Sequence, residues 1–196
     1  MKNTKPQMPI VGKLNKDFSI TGPFGYRMHP IRHERIHHNG VDLWSAKEPC
    51  KIEVWFDGIV IAKGYSATGF GHYVIVRHKV YGKDVTSLYA HMKAESGLRK
   101  GQRVNAGDVV GIMGATGGVT GKHLHFELGK GRTHPNVFGD GKTYYEPMAF
   151  VQATIKKWEA ERELEKAHKQ AVLATPINSL TVVTPDHSVV PVSKKK

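Results

Sequence analysis

In the stretch GKHLHFELGKG, residues 121–131, His123 and His125 stand two positions apart. In a β-strand, residues i and i+2 share a face, so His123, His125 and Glu127 look one way and Leu124, Phe126 and Leu128 the other. The apolar face can enter a core, and the histidine face is left towards a groove. Paired imidazoles there could make a metal site, an acid/base site or neither. RIHHNGVDLW, residues 35–44, offers a second group. His38 and Asp42 are four apart, an even spacing that keeps both on one face of an extended segment. Gly40 between them lets the backbone approach closely. His37 falls on the opposite face. Neutral imidazole with carboxylate suits Zn²⁺, although a surface histidine beside a turn aspartate has the same local sequence. LYAHM adds His91 at the end of a third β-like run, with Tyr89 two residues earlier on the same face.

These groups make a hydrolytic set. His38, Asp42 and one histidine of HLH can supply three ligands to zinc, leaving a fourth position for water, the open arrangement of a catalytic site. Such a metal lowers the pKa of its water toward about 7 and polarises a carbonyl, while a free histidine takes and returns a proton.

The rest of the chain must position them. Its 196 residues suffice for one ordinary domain with tails, and 39% hydrophobic content allows a core. No apolar run is long enough for a transmembrane helix. MKNTKPQMPIVGKLNKDF lacks the apolar segment of a secretory signal, so synthesis in the cytoplasm without a signal peptide is expected. The single cysteine excludes an intramolecular disulfide and a cysteine-based zinc site. Cys50, in KEPCKIEVW, has no nucleophile signature and reads as a small buried hydrophobe. A net charge of +12 attracts nucleic acid, anionic lipid or an acidic cell wall without choosing among them. No aromatic-interleaved nucleic-acid motif is present.

Residues 1–17 are polar and aperiodic and read as an N-terminal arm. From Asp17 to Phe150 short β-like runs alternate with glycine-rich turns, the pattern of an all-β domain. KIEVWFDGIVIAKG reads as two strands with a hairpin turn at Asp57-Gly58. GHYVIVRHK sets His72, Val74, Val76 and His78 against Tyr73, Ile75 and Arg77. The glycines of GATGGVTGKH permit a tight loop before the HLH strand; the Walker pattern is absent. Good helix formers and opposite charges three and four apart predict a helix from about Pro147 to Ala174, with a break near its start left open. Its apolar positions, Phe150, Ile155, Trp158 and Leu164, follow helical periodicity only in part. The segment after Pro176 is proline-containing and ends in KKK, a flexible basic tail in which SLTVV could form an edge strand.

FSITGPFGYRMHPI, HHNGVDLW, GFGHYVIVRH, SLYAHM and LRKGQRVNAGDVVGIMGATGGVTGKHLHFEL occur in the order and approximate spacing of one family. From about Phe18 to Phe150 the chain resembles the lysostaphin-type zinc endopeptidases of peptidase family M23, which cut peptidoglycan peptides. The resemblance implies a mainly β fold, an antiparallel β-sheet sandwich with a groove, here followed by a C-terminal α-helix and flexible tail. The layout expected is an arm over 1–17, a peptidase domain over 18–150, a helix over 151–174 and a tail over 175–196. The resemblance makes His38, Asp42 and His125 the ligands of one Zn²⁺ per chain. It makes His91 and His123 the catalytic histidines that do not bind metal. His123 is then the base and His91 the oxyanion stabiliser, with the reverse division left open. His29, beside Pro30, reads as structural. His33, His72, His78, His134, His168 and His187 read as surface or packing residues, and Tyr89 as a residue that could line the site.

The implied function is hydrolysis of peptide bonds in peptidoglycan stems or cross-bridges, for wall lysis or penetration. Without an evident leader or wall-binding domain, the chain resembles a phage endolysin or virion-associated wall hydrolase, an antimicrobial activity acting after release or within a virion. Its expected partners are peptidoglycan and, through the C-terminal region, a virion or lysis component. No specific nucleic acid is expected, since a basic nucleic-acid-binding domain leaves the five site residues unexplained. The alternative is a non-enzymatic phage tail or virion assembly component that retains the fold.

Overall fold

Alternating apolar and polar residues govern most of the strands. The computed structural model describes residues 4–28, 34–135, 141–174, 181–183 and 189–191. They fall into two compact units, Met1–Ile155 and Lys156–Lys196. The first contains β1 (Ser19–Gly22), β2 (Gly25–Met28), β3 (Arg35–His38), β4 (Gly40–Trp44), β5 (Lys51–Glu53) and β6 (Gly58–Ser66). It continues with β7 (Gly71–Val80), β8 (Lys83–Met92), β9 (Arg103–Val104), β10 (Val109–Ile112), β11 (Leu124–Lys130) and β12 (Tyr144–Tyr145). Helix α1 (Pro147–Ala174) follows without a break.

The main sheet runs β1-β4-β11-β8-β7-β6-β9, with β12 also on β11, and every pair is antiparallel. The pairs β2–β3 and β5–β10 form separate two-stranded ladders. Val41, Leu43, Phe126, Leu128, Tyr89, Val74 and Val76 on one face of the main sheet share a core with Ile52 and Val110 of the β5–β10 ladder and with the adjoining Val54. Asp42, His125 and Glu127 alternate with those core residues and therefore project from the other face. The fold is thus mainly antiparallel β with a C-terminal helix, as the sequence pattern indicates.

Three expectations are corrected. Asp57-Gly58 is not a hairpin turn, because β5 pairs with β10 while β6 pairs with β7 and β9. The Asp57 carboxylate instead accepts hydrogen bonds from the backbone N–H groups of Thr4 and Ala106, at 3.1 and 2.9 Å, and ties distant segments at a change of sheet. Residues 4–17 are not a free arm. Ile10 is buried and bridges Ile52, while Gln7 N–H donates to Trp55 O and Pro9 O accepts from Glu53 N–H. Tyr89 does not line the groove: it lies wholly in the core, where its hydroxyl accepts from Trp55 N–H at 3.1 Å. A hairpin turn joins β7 to β8, with Tyr81 and Gly82 both at positive φ, the geometry of a two-residue turn.

Pro147 opens α1 at a position where its missing N–H costs nothing, and the Glu146 carboxylate accepts from the N–H groups of Met148 and Ala149. Met148, Val151 and Thr154, at helical spacing, are buried. In the second unit the helical residues beyond Ile155 carry the ion pairs Arg162–Glu165 and Lys166–Glu163, and Leu164, Val172 and Leu173 are exposed. Of the expected tail, β13 (Thr181–Val183) pairs antiparallel with β14 (Val189–Pro191). The remaining tail positions lie outside the described residues. Among the described residues no helix is long and apolar enough to cross a membrane.

His78 gives the core a pH dependence. It is 2% exposed, donates from Nδ1 to Asp57 O at 3.1 Å, and accepts at Nε2 from Ser87 Oγ at 2.7 Å. Burial pushes its pKa down to about 4. The unfolded chain therefore binds a proton that the folded one refuses between about pH 6.5 and 4, and stability falls as pH is lowered through that window. The expected loss is about 3 kcal/mol. Urea unfolding of the metal-free protein from pH 7 to 4 should show it, and His78→Asn should start lower but lose less. Equal acid slopes in the two proteins would refute this role.

Candidate active site

Register brings the chemistry together. In the main sheet Asp42 of β4 pairs with His125 of β11, which on its other side pairs with Ala90 of β8. Directly opposed residues share a face, so Asp42 and His125 meet. His38 arrives differently: Asn39 separates β3 from β4, and His38 ends the β2–β3 ladder. Gly40 is needed where the chain enters β4, since a Cβ there would lie 2.6 Å from Phe126 O and 2.9 Å from His125 Cε1.

The three predicted ligands converge. His125 Nδ1 lies 2.8 Å from Asp42 Oδ1 and 3.1 Å from His38 Nε2, and His38 Nε2 lies 3.2 Å from the same aspartate oxygen. These side chains form the metal-competent cluster found among the described residues, and all three are buried. His38 Nδ1–H donates to Pro23 O at 2.8 Å, so its Nε2 faces Asp42. His125 Nε2–H donates to Glu127 Oε1 at 2.9 Å, which turns its Nδ1 inward. Asp42 Oδ2 is held by Arg27 Nη2 at 3.1 Å, leaving Oδ1 for the cluster.

Such an arrangement calls for a positive charge among three acceptors. Burial would raise the pKa of Asp42, but hydrogen bonds with His125 and His38 hold it well below the usual carboxylate range. Burial would lower His125, but Asp42 and Glu127 outweigh it and raise its pKa to about 9. The pull that favours a proton on Nδ1 equally favours a metal cation there. Two imidazole nitrogens and one carboxylate oxygen form a donor set suited to zinc.

His91 and His123 flank the cluster, their ring centroids 4.8 Å apart. His123 Nε2 lies 3.6 Å from Asp42 Oδ1. The glycine-rich loop before β11 orients both rings: His91 Nδ1–H donates to Thr116 O and His123 Nδ1–H to Gly121 O, each at 2.9 Å. Each ring in its neutral form therefore keeps a lone pair on Nε2. Burial above all pushes His91 down to about 4 and also lowers His123, so both are neutral bases near pH 7. A bulge explains how His91 reaches this face although Tyr89 does not. From Tyr89 to Met92 β8 advances three residues while β7 advances two, and His91 has φ 60°. The extra residue breaks the alternation and re-aims the side chain.

The five site residues read from the sequence thus lie together. His37 stands apart, bonded to Asn39 Oδ1 at 3.0 Å and edge-on to Phe24 and Tyr26. Cys50 is buried, its thiol pushed up by burial. His29, His33 and His187 lie outside the described residues. Arg27, Glu127, His134 and the loop carbonyls are additional parts of the site. Only Glu127 left a sequence signal, two residues beyond His125 on the same strand face. His134, read as a surface or packing residue, reaches Glu127 Oε2 from the next loop at 2.7 Å.

The sequence profile of Peptidase family M23 matches residues 36–137, just over half of the chain. The DD-carboxypeptidase/endopeptidase Mpg of Neisseria meningitidis serogroup B is 41% identical over 108 residues, 55% of this chain and 24% of that protein. The chain spans about a quarter of the length of the curated relatives it matches. Among solved structures, a zinc containing peptidase from Vibrio cholerae superposes with a TM-score of 0.55 at 30% identity, covering 69% of this chain and 39% of that one. The catalytic domain of EnpA, a prophage-encoded M23 protein from Enterococcus faecalis, gives a TM-score of 0.52 at 27% identity, covering 72% and 93%.

Proposed function

Since this chain belongs to peptidase family M23, we propose that it is a zinc-dependent endopeptidase acting on the peptide stems or cross-bridges of bacterial peptidoglycan. The observation that carries this reading is the convergence of His38 Nε2, Asp42 Oδ1 and His125 Nδ1 beside two histidines that keep their own Nε2 lone pairs. When bound to those three atoms, zinc supplies Lewis acidity that polarises a peptide carbonyl and acidifies water. His123, which approaches the ligand set more closely, takes the proton of the attacking water at Nε2 and returns it to the leaving amine. His91 Nε2, unprotonated in the resting site, takes a proton from solvent as negative charge builds beside it and then donates to the developing oxyanion. Its anchoring to Thr116 O fixes the ring for that contact. A charge of +12 favours approach to an acidic wall.

The test is mass spectrometry of muropeptides released from purified peptidoglycans of several cross-link types, with and without a zinc chelator. The expected result is a new amine and a new carboxyl terminus at one peptide bond, lost with chelator and restored by zinc. No cleavage of any wall by folded, zinc-loaded protein would overturn the reading and favour a non-enzymatic assembly role.

A further inference from the structure

Resting on the proposed metal site, we propose that His134, oriented by Thr86, is a positioning residue that sets zinc affinity through Glu127. Glu127 is 4% exposed and carries no solvent-facing oxygen to spend freely. Its Oε1 accepts from His125 Nε2–H at 2.9 Å, and its Oε2 accepts from His134 Nε2–H at 2.7 Å. The side chain of His134 is itself only 7% exposed, and Tyr144 packs against its ring with centroids 5.8 Å apart. His134 Nδ1 lies 3.2 Å from Thr86 Oγ1, which also lies 3.4 Å from Gly129 O.

Thr86 Oγ1 contacts His134 Nδ1, His134 donates to Glu127, and His125 donates to the other Glu127 oxygen. The last bond turns His125 Nδ1 towards Asp42 Oδ1, 2.8 Å away. The register gives the chain a rigid base: Thr86 pairs with Gly129 across β8 and β11, on the same strand pair that carries Glu127 and His125. His134 arrives from the loop after β11, and Tyr144 O–H donates to the neighbouring Pro135 O at 2.6 Å. Without His134, Glu127 has one donor fewer in a buried place, and its carboxylate is free to rotate away from His125. The imidazole then loses both its orientation and the charge that raises its basicity as a ligand.

The experiment is zinc competition against a chromophoric chelator, using the full chain and needing no substrate. His134→Leu should weaken zinc binding about 10- to 100-fold, the range found when outer partners of metal ligands are removed. His134→Gln, whose amide N–H can still reach Glu127, should recover most of that loss. Unchanged affinity in His134→Leu would overturn the proposal. So would His134→Gln as weak as His134→Leu, because the loss would then come from packing. Should His134→Leu fail to fold, Thr86→Val carries the same test, with weakened zinc binding expected and wild-type affinity refuting the relay. A wild-type chain that binds no zinc would instead remove the metal site itself, which separates failure of this inference from failure of the proposed function.

Discussion

His125→Ala should lose bound zinc and peptidase activity together and destabilise the metal-free chain by about 3 kcal/mol. His125 bridges two buried carboxylates, Asp42 and Glu127. His125 contacts Asp42 Oδ1 at 2.8 Å, His38 Nε2 at 3.1 Å and Glu127 Oε1 at 2.9 Å, and Phe70 stacks on its ring. Truncation removes one of three ligands and leaves two buried carboxylates each short of a partner. Breaking such buried pairs from one side costs about 3–5 kcal/mol. The low end applies because Arg27 still holds Asp42 and His134 still holds Glu127. Zinc content per chain, wall cleavage and urea unfolding in chelator would be measured together. A variant that keeps one zinc per chain would show that His125 is not a ligand.

His123→Ala should behave in the opposite way with respect to metal. Its Nε2 stands 3.6 Å from Asp42 Oδ1, beyond the tight cluster, and its Nδ1 is committed to the Gly121 carbonyl. Removing it deletes the proposed proton acceptor and leaves all three ligands in place. Turnover should fall about 10²- to 10⁴-fold, the usual contribution of general acid–base catalysis, while zinc stays near one per chain. Stability should change little, because the ring accepts no buried charge pair comparable to that of His125. If His123→Ala loses metal while His125→Ala retains it, the two histidines of HLH exchange roles. The same assay on His91→Ala tests the other free histidine. An effect on turnover as large as that of His123→Ala, with zinc retained, is expected for a group that touches the oxyanion.

Much of the site was legible because a strand repeats every two residues. The spacing in HLHFE placed His123, His125 and Glu127 on one face, and the core placement of Leu124, Phe126 and Leu128 agrees. Gly40 was readable as a point of close approach, although only the fold shows that Phe126 and His125 are what approaches. The same rule failed at LYAHM, where the β8 bulge separates His91 from Tyr89. It failed at Asp57-Gly58 too, because turn chemistry is local while the choice of sheet partner is not.

By itself the sequence determined which residue types were available, their alternation along each strand, and the motif order that implied a zinc peptidase. Tertiary structure alone decided the tautomers, through carbonyls at Pro23, Thr116 and Gly121, and the buried link from His125 through Glu127 to His134 and Thr86. The reason is physical. Periodicity is a property of neighbours in the chain, whereas a hydrogen bond between Thr86 and His134, 48 residues apart, exists only once strand register has brought both ends to one place.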